Sequence, residues 1–325
     1  MNRRRALLFA SGAALCAVLP ARAQQSNRVW RIGMLQATDR ESNLDNLEAF
    51  RQGMQELGYA EGRQYVVEYR SADGHTGRFA ELAVELARLR VDLIVTRGTP
   101  ATQAARDTGI PVVMAAIGEV LGTAVVSSLA HPGGNVTGLS SFATELQAKR
   151  MEIFRELLPR AKRIAALFNM SNPSEPPQWA EAEKACRVLG LDARLFDVRA
   201  AESLAPAIRA AAGWRADGVV AGIDAVFLAN RRGIADLVAR HRIPAMYISR
   251  EFVEAGGLMS YGVSYPHLYY RAAGFVHKII SGTRPGDIPV QQPTKFELVI
   301  NLKASKALGI TVPRALLVRA DRVME

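Results

Sequence analysis

A strand-length apolar run followed by a helical stripe, repeated along most of the chain, limits the fold more than any other feature of this sequence. Val29–Leu35 is an apolar run of strand length. Leu44–Leu57 then carries Leu44, Leu47, Phe50, Met54 and Leu57 on one helical face, and Gly58 ends it as a C-cap glycine does. Tyr65–Tyr69, Val91–Val95 and Ile110–Ala115 read as further strands, with helices over Phe79–Leu89 and Thr99–Thr108. His131-Pro132-Gly133-Gly134-Asn135 is a loop before a short strand, Val136–Leu139. The pattern then starts again. Helices are expected over Leu146–Leu158, Trp179–Leu189, Ser203–Ala212 and Val226–Arg240, and strands over Arg163–Phe168, Ala193–Asp197, Gly218–Ala221, Pro244–Ile248 and Leu258–Tyr261. Helix Leu268–Ile280 and strand Phe296–Ile300 complete it. Such alternation predicts an α/β fold with parallel sheets covered on both faces. At 325 residues the chain exceeds one core, so two similar α/β units with a cleft between them are expected.

The first 23 residues follow a different pattern. Arg3, Arg4 and Arg5 precede an apolar stretch from Ala6 to Leu19, and Ala21-Arg22-Ala23 is an A-x-A cleavage signal. This reads as a secretory signal peptide cleaved after Ala23, and Arg4-Arg5-Ala6-Leu7-Leu8 resembles a twin-arginine export signal. Leu15 before Cys16 argues against a lipid anchor. A soluble periplasmic protein is therefore expected, with Cys186 alone in the mature chain, buried on a helix and unable to form an internal disulfide. Losing the leader's arginines lowers the formal charge from +10, and the remaining basic residues are dispersed. No basic stripe or DNA-reading module is present, so nucleic acid is not an expected partner.

In open parallel sheets ligands sit beyond the carboxyl ends of the strands. The loops that follow each strand are therefore the candidate site. Thr99 reads as an N-cap with Pro100 at the first helical position, a helix start suited to a carboxylate. The loop after Arg163–Phe168 offers Asn169, Ser171, Asn172 and Ser174. Asp224 either pairs with a ligand ammonium or caps the following helix, and Arg250 and Glu251 bring charge to the cleft, with an internal ion pair as their plain role. The expected solute contacts are Gln36, Thr99 and Glu119 from the first unit and Ser141, Asn169, Asn172 and Asp224 from the second. Tyr247 is expected as an aromatic wall for a flat ligand.

An enzyme is not expected. The sequence has no G-x-S-x-G elbow, no Walker loop and no histidine or cysteine pair at metal-ligand spacing. His75, His131, His241, His267 and His277 are scattered, and Gly133-Gly134 is a turn rather than a phosphate cradle. Neither cofactor nor metal is expected.

Several segments together carry a family resemblance: Leu57-Gly58-Tyr59-Ala60-Glu61-Gly62-Arg63, Val91–Val95 with Gly98-Thr99-Pro100-Ala101, His131–Gly138, Arg250–Gly262 and Pro293–Leu302. In this order they resemble the ABC-transporter substrate-binding family that includes the tryptophan- and tyrosine-binding lipoproteins. The resemblance implies a type I periplasmic-binding fold, two Rossmann-like lobes joined by three crossing strands. It implies a small organic solute, with an amino acid or an aromatic compound as candidate, delivered to a permease and ATPase by a monomeric receptor. A periplasmic sensor that presents its closed form to a signalling partner would use the same fold and cleft. Lobe one is expected over residues 24–140 plus about 262–288 and lobe two over 141–261, with 289–325 a returning tail. Two loops depart from the family: Glu119-Val120 stands where Asp-Pro is common, and Asn169-Met170 where Asn-Pro is common.

Overall fold

The computed structural model describes residues 28–325, so the expected leader and its cleavage after Ala23 lie outside the described residues. Five parallel strands form the first sheet: β1 (Trp30–Gln36), β2 (Tyr65–Ser71), β3 (Leu93–Arg97), β4 (Val112–Ile117) and β5 (Val136–Ser140), ordered β2-β1-β3-β4-β5. Between them run α1 (Leu44–Glu56), α2 (Phe79–Arg88) and α3 (Thr99–Arg106). Strands β3, β4 and β5 are buried along their whole length, as continuous apolar runs in a parallel sheet covered on both faces should be.

The second sheet has seven strands. They are β6 (Arg163–Phe168), β7 (Asp192–Asp197), β8 (Gly218–Ala221), β9 (Ala245–Tyr247), β10 (Met259–Val263), β11 (Phe296–Asn301) and β12 (Arg322–Met324), ordered β12-β11-β10-β9-β8-β6-β7. All its pairings are parallel except β10 with β11. Edge strand β7 carries Asp192, Arg194 and Asp197, charges that discourage pairing with another chain. Its helices are α4 (Leu146–Leu157), α5 (Glu175–Val188), α6 (Leu204–Gly213), α7 (Ala225–Ala229), α8 (Arg231–Arg240) and α9 (Arg250–Glu254).

The chain crosses between the sheets after β5, after β10 and again before β11. Following β10, α10 (Tyr265–Ile280) returns to the first sheet and packs along α1. That approach is close: a Cβ on Gly53 would lie 2.5 Å from the Tyr270 carbonyl oxygen, so α1 needs glycine there. The segment after α10 bonds to β5 through Gln291 before the chain crosses to β11. Helices α11 (Leu302–Ala307) and α12 (Arg314–Arg319), with β12, keep the tail on the second sheet, where Leu316 is fully buried. This is the two-lobed type I arrangement.

Two local expectations are corrected. The stretch read as one helix over Val226–Arg240 is two, α7 and α8, broken at Asn230 (φ −102°, ψ 15°), whose side-chain amide donates to the Val226 carbonyl at 2.8 Å. No helix is expected after Pro244–Ile248, yet Ser249 caps α9, a five-residue helix too short to announce itself by periodicity. One apolar cluster runs through both lobes, joining Phe79 and Leu35 of the first to Leu228, Ile248 and Phe252 of the second. The lobes therefore meet.

Candidate functional site

The strand ends of the two sheets face each other across the line where the lobes meet, and two cavities lie there. The inner one is small, about 30 Å³, and mostly apolar. Phe79 and Pro100 line it from lobe one, and Leu228, Ile248 and Phe252 from lobe two. Its polar groups are Arg97 and the Gly98 backbone on one side and Asn172 and Asp224 on the other. The outer cavity is an open, polar cleft of about 670 Å³ between the β1–α1 loop and α8–α9, with Asn43, Asn46, Arg231, Arg250 and Glu251 on its walls.

Asp224 is held by its position at the start of α7. One carboxylate oxygen accepts the Val226 N–H at 2.8 Å, and the other accepts the Asn172 side-chain amide at 2.9 Å. It thus caps α7, as one of the two sequence readings has it, and it also lines the inner cavity. Burial pushes its carboxyl above the ordinary range, opposed by those two hydrogen bonds, and no lysine, arginine or histidine pairs with it among the described residues. Behind it lies Glu175, which sequence reasoning passed over. This side chain is fully buried at the start of α5, where it accepts the Ile223 N–H at 2.8 Å and the Asn169 N–H at 3.3 Å. It therefore ties together both lobe-two loops that carry the candidate contacts. Burial, and then the nearby Asp224 charge, hold its carboxyl well above the usual carboxylate range. Gly222 makes room for it, since a Cβ there would sit 2.0 Å from the carboxylate. The only hint in the sequence was an acid placed at the end of a polar loop.

Thr99 is not the N-cap. Gly98 is, at φ 89°, ψ 155°, a conformation essentially reserved for glycine, and Thr99 and Pro100 form the first helical positions. The helix start keeps its free N–H groups except at Pro100. The Thr99 hydroxyl is buried without a hydrogen-bond partner, as is the side-chain nitrogen of Asn169 on the opposite lobe. Asn172 and Asp224 are thus brought to the inner cavity with Gly98 and Pro100 of the helix start, whereas Thr99 and Asn169 line neither cavity.

The remaining expected contacts are placed otherwise. Gln36 is spent in lobe one: its amide donates to the Val95 carbonyl at 3.3 Å and its oxygen accepts from Tyr269. Ser141 donates to the Ile117 carbonyl at 3.0 Å, at the first lobe crossing. Glu119 is half-buried and accepts from Thr144 at 3.1 Å and from the Leu121 N–H at 3.2 Å. None of the three lines either cavity. Tyr247 lines neither cavity: its ring is buried and stacks at 4.8 Å on Phe252, itself a wall of the inner cavity. Strand β9 is short, and its alternation sends this side chain inward.

Arg97, by contrast, comes to the centre. The last residue of β3, it makes a two-armed pair with Glu251 of α9, both bonds 2.7 Å. No group of three or more His, Cys, Asp or Glu side chains among the described residues is placed to hold a metal ion.

The family model described as ABC transporter substrate binding protein matches residues 31–324. A tyrosine-binding protein of Clostridioides difficile (strain R20291) is 25% identical over 287 residues, 88% of this chain and 82% of that protein. Among solved structures, a conserved domain protein from Vibrio cholerae is 26% identical, covering 91% of this chain and all of that one, with a TM-score of 0.85. An ABC domain from Streptococcus pneumoniae in complex with L-Trp is 27% identical at the same coverage, with a TM-score of 0.84.

Proposed function

The chain belongs to the ABC transporter substrate-binding protein family, and from that premise we propose that it is the periplasmic solute receptor of an ABC importer, closing its lobes on an amino acid with an apolar or aromatic side chain and handing it to the membrane permease. The observation that carries this reading is the inner cavity: apolar walls, one buried carboxylate without a cationic partner and, across from it, a helix start. Those features match the three parts of such a solute. An ammonium group answers the buried carboxylate, because a desolvated charge needs a partner. A carboxylate suits the free N–H groups and positive end of α3. An apolar or aromatic side chain suits Phe79, Leu228 and Phe252. The relatives that bind tyrosine and L-Trp support the same solute class. At about 30 Å³ the cavity holds little more than a water molecule, so the lobes must part to admit the solute, and the apolar side chains of the walls must repack around it when they close.

The test is a thermal-shift panel on the mature protein. L-tryptophan, L-tyrosine, L-phenylalanine and L-leucine stand against sugars and against indole-3-propionate, which lacks the ammonium. A solute at about 100 times its Kd stabilises the native state by roughly 2.7 kcal/mol. At least one amino acid should shift the midpoint, and indole-3-propionate should not. A shift with a sugar alone, or with indole-3-propionate as large as with tryptophan, would overturn the reading.

A further inference from the structure

We propose that Arg97 and Glu251 form a closure latch, a pair made only when the lobes meet, which sets the affinity for every solute by the same factor without itself touching the solute. The inference rests on the two-lobed receptor reading, but not on the solute's identity.

Arg97 ends β3 in lobe one and Glu251 lies in the first turn of α9 in lobe two, so parting the lobes separates them. Their side chains are 7% and 16% exposed, against 22% and 65% for the neighbouring Arg250–Asp45 bridge that also joins the lobes. The pair is two-armed, a geometry that fixes orientation as well as energy. Both partners make further local contacts. Glu251 also accepts the Ser249 hydroxyl at 3.0 Å and the Asn46 amide at 3.3 Å, the latter from lobe one. Arg97 lies 3.6 Å over the ring of Tyr265, the residue at which the chain has just crossed back to lobe one. Two of the guanidinium's five N–H groups, one on each terminal nitrogen, are therefore engaged by Glu251.

Position completes the argument. Arg97 lines the inner cavity, and Glu251 lines the outer cleft, so the pair forms the wall between them. A solute reaches the inner cavity only when the lobes part, and their closing over it makes the pair again. A protein whose binding-competent form is only partly populated shows a weakened affinity in proportion to that fraction. A latch that raises the closed fraction therefore tightens binding of any solute alike.

The test compares wild type with Glu251→Gln, Arg97→Gln and the double variant. Without solute, small-angle X-ray scattering should give a larger radius of gyration for all three variants than for wild type. With L-tryptophan, or whichever panel amino acid binds, Kd should rise roughly tenfold or more in each single variant, by the same factor for each amino acid. The double variant should lose no more than a single one, because the latch can be lost only once. Unchanged scattering would overturn the latch. So would losses that add in the double variant, or an Arg97→Gln loss confined to solutes bearing a carboxylate, since either makes Arg97 a solute contact. Should a variant fail to fold, Ser249→Ala and Asn46→Ala each remove one bond to Glu251 and should widen the protein less but in the same direction. If no panel compound binds while the variants still widen, the solute reading fails and the latch stands.

Discussion

The two walls of the cleft are built on one β/α plan, yet they present opposite polar groups. The lobe-one wall offers a cation and a helix start: Arg97 and the N-terminus of α3. The lobe-two wall offers two buried acids, Glu251 and Asp224, with a third, Glu175, buried behind Asp224. Only Glu251 is neutralised across the cleft, by Arg97. Lobe two does hold a buried cation, Arg150, but it donates to the carbonyls of Tyr261 at 2.7 Å and Ala143 at 3.1 Å, stitching two lobe crossings rather than pairing with an acid. Once Arg97 and Glu251 cancel, the cleft is left with uncompensated carboxylate on one side. That imbalance is what a solute ammonium would relieve.

The largest effect expected from breaking this asymmetry is steric. Gly222→Ala places a Cβ 2.0 Å from the Glu175 carboxylate and 2.6 Å from the Phe168 ring. Glu175 cannot retreat without releasing the loops at Asn169 and Ile223. Overpacking of this kind should cost about 2–3 kcal/mol of stability in urea denaturation and should abolish solute binding. Retained stability would mean that the acid behind Asp224 is free to move.

A second effect separates the acids by sign. Burial pushes the Glu251 carboxyl up, but Arg97 and the Ser249 hydroxyl pull it further down, to about 2. A carboxyl held below its ordinary value of 4.5 lends stability that is complete above that pH and is lost as the pH falls toward about 2. The stability difference between wild type and Glu251→Gln should therefore be constant above pH 4.5 and shrink below it. Asp224 is held above its ordinary value of 3.8, so its ionised form destabilises the native state, and that penalty shrinks as the pH falls from neutral toward 3.8. Asp224→Asn should accordingly raise the solute-free unfolding midpoint at pH 7, read by differential scanning calorimetry. A lowered midpoint would mean that the Val226 and Asn172 hydrogen bonds outweigh the burial of charge.

The smallest effect belongs to the outer bridge. Arg250 and Asp45 join the lobes at 3.0 Å, but Asp45 is largely exposed, so Asp45→Asn should change stability and affinity by less than about 1 kcal/mol. An effect as large as that of Glu251→Gln would move the latch from the buried pair to the rim.

The sequence made the β/α alternation, the two units and the loops after the strands legible, because each depends on local periodicity and turn chemistry. It also pointed to Asp224 and Asn172, which sit in such loops. What it could not convey is pairing at a distance. Arg97 meets Glu251 only because two sheets bring residues 154 positions apart into contact, and the five-residue α9 leaves no periodic trace. Glu175 looked like the end of a polar loop, and its burial follows from the missing side chain at Gly222. The burial of the Tyr247 ring against Phe252 was not legible for a simpler reason: a strand of three residues gives too little alternation to tell its inward face from its cleft end.

Titration calorimetry of the mature protein and its Asp224→Ala variant with L-tryptophan and L-tyrosine tests the central claim most directly. The account predicts saturable binding of at least one of them to wild type. In the variant it predicts a loss of about 2–5 kcal/mol, roughly thirtyfold or more in Kd, with the fold intact by circular dichroism. Equal affinity in the two proteins, or binding of neither amino acid to wild type, would contradict it.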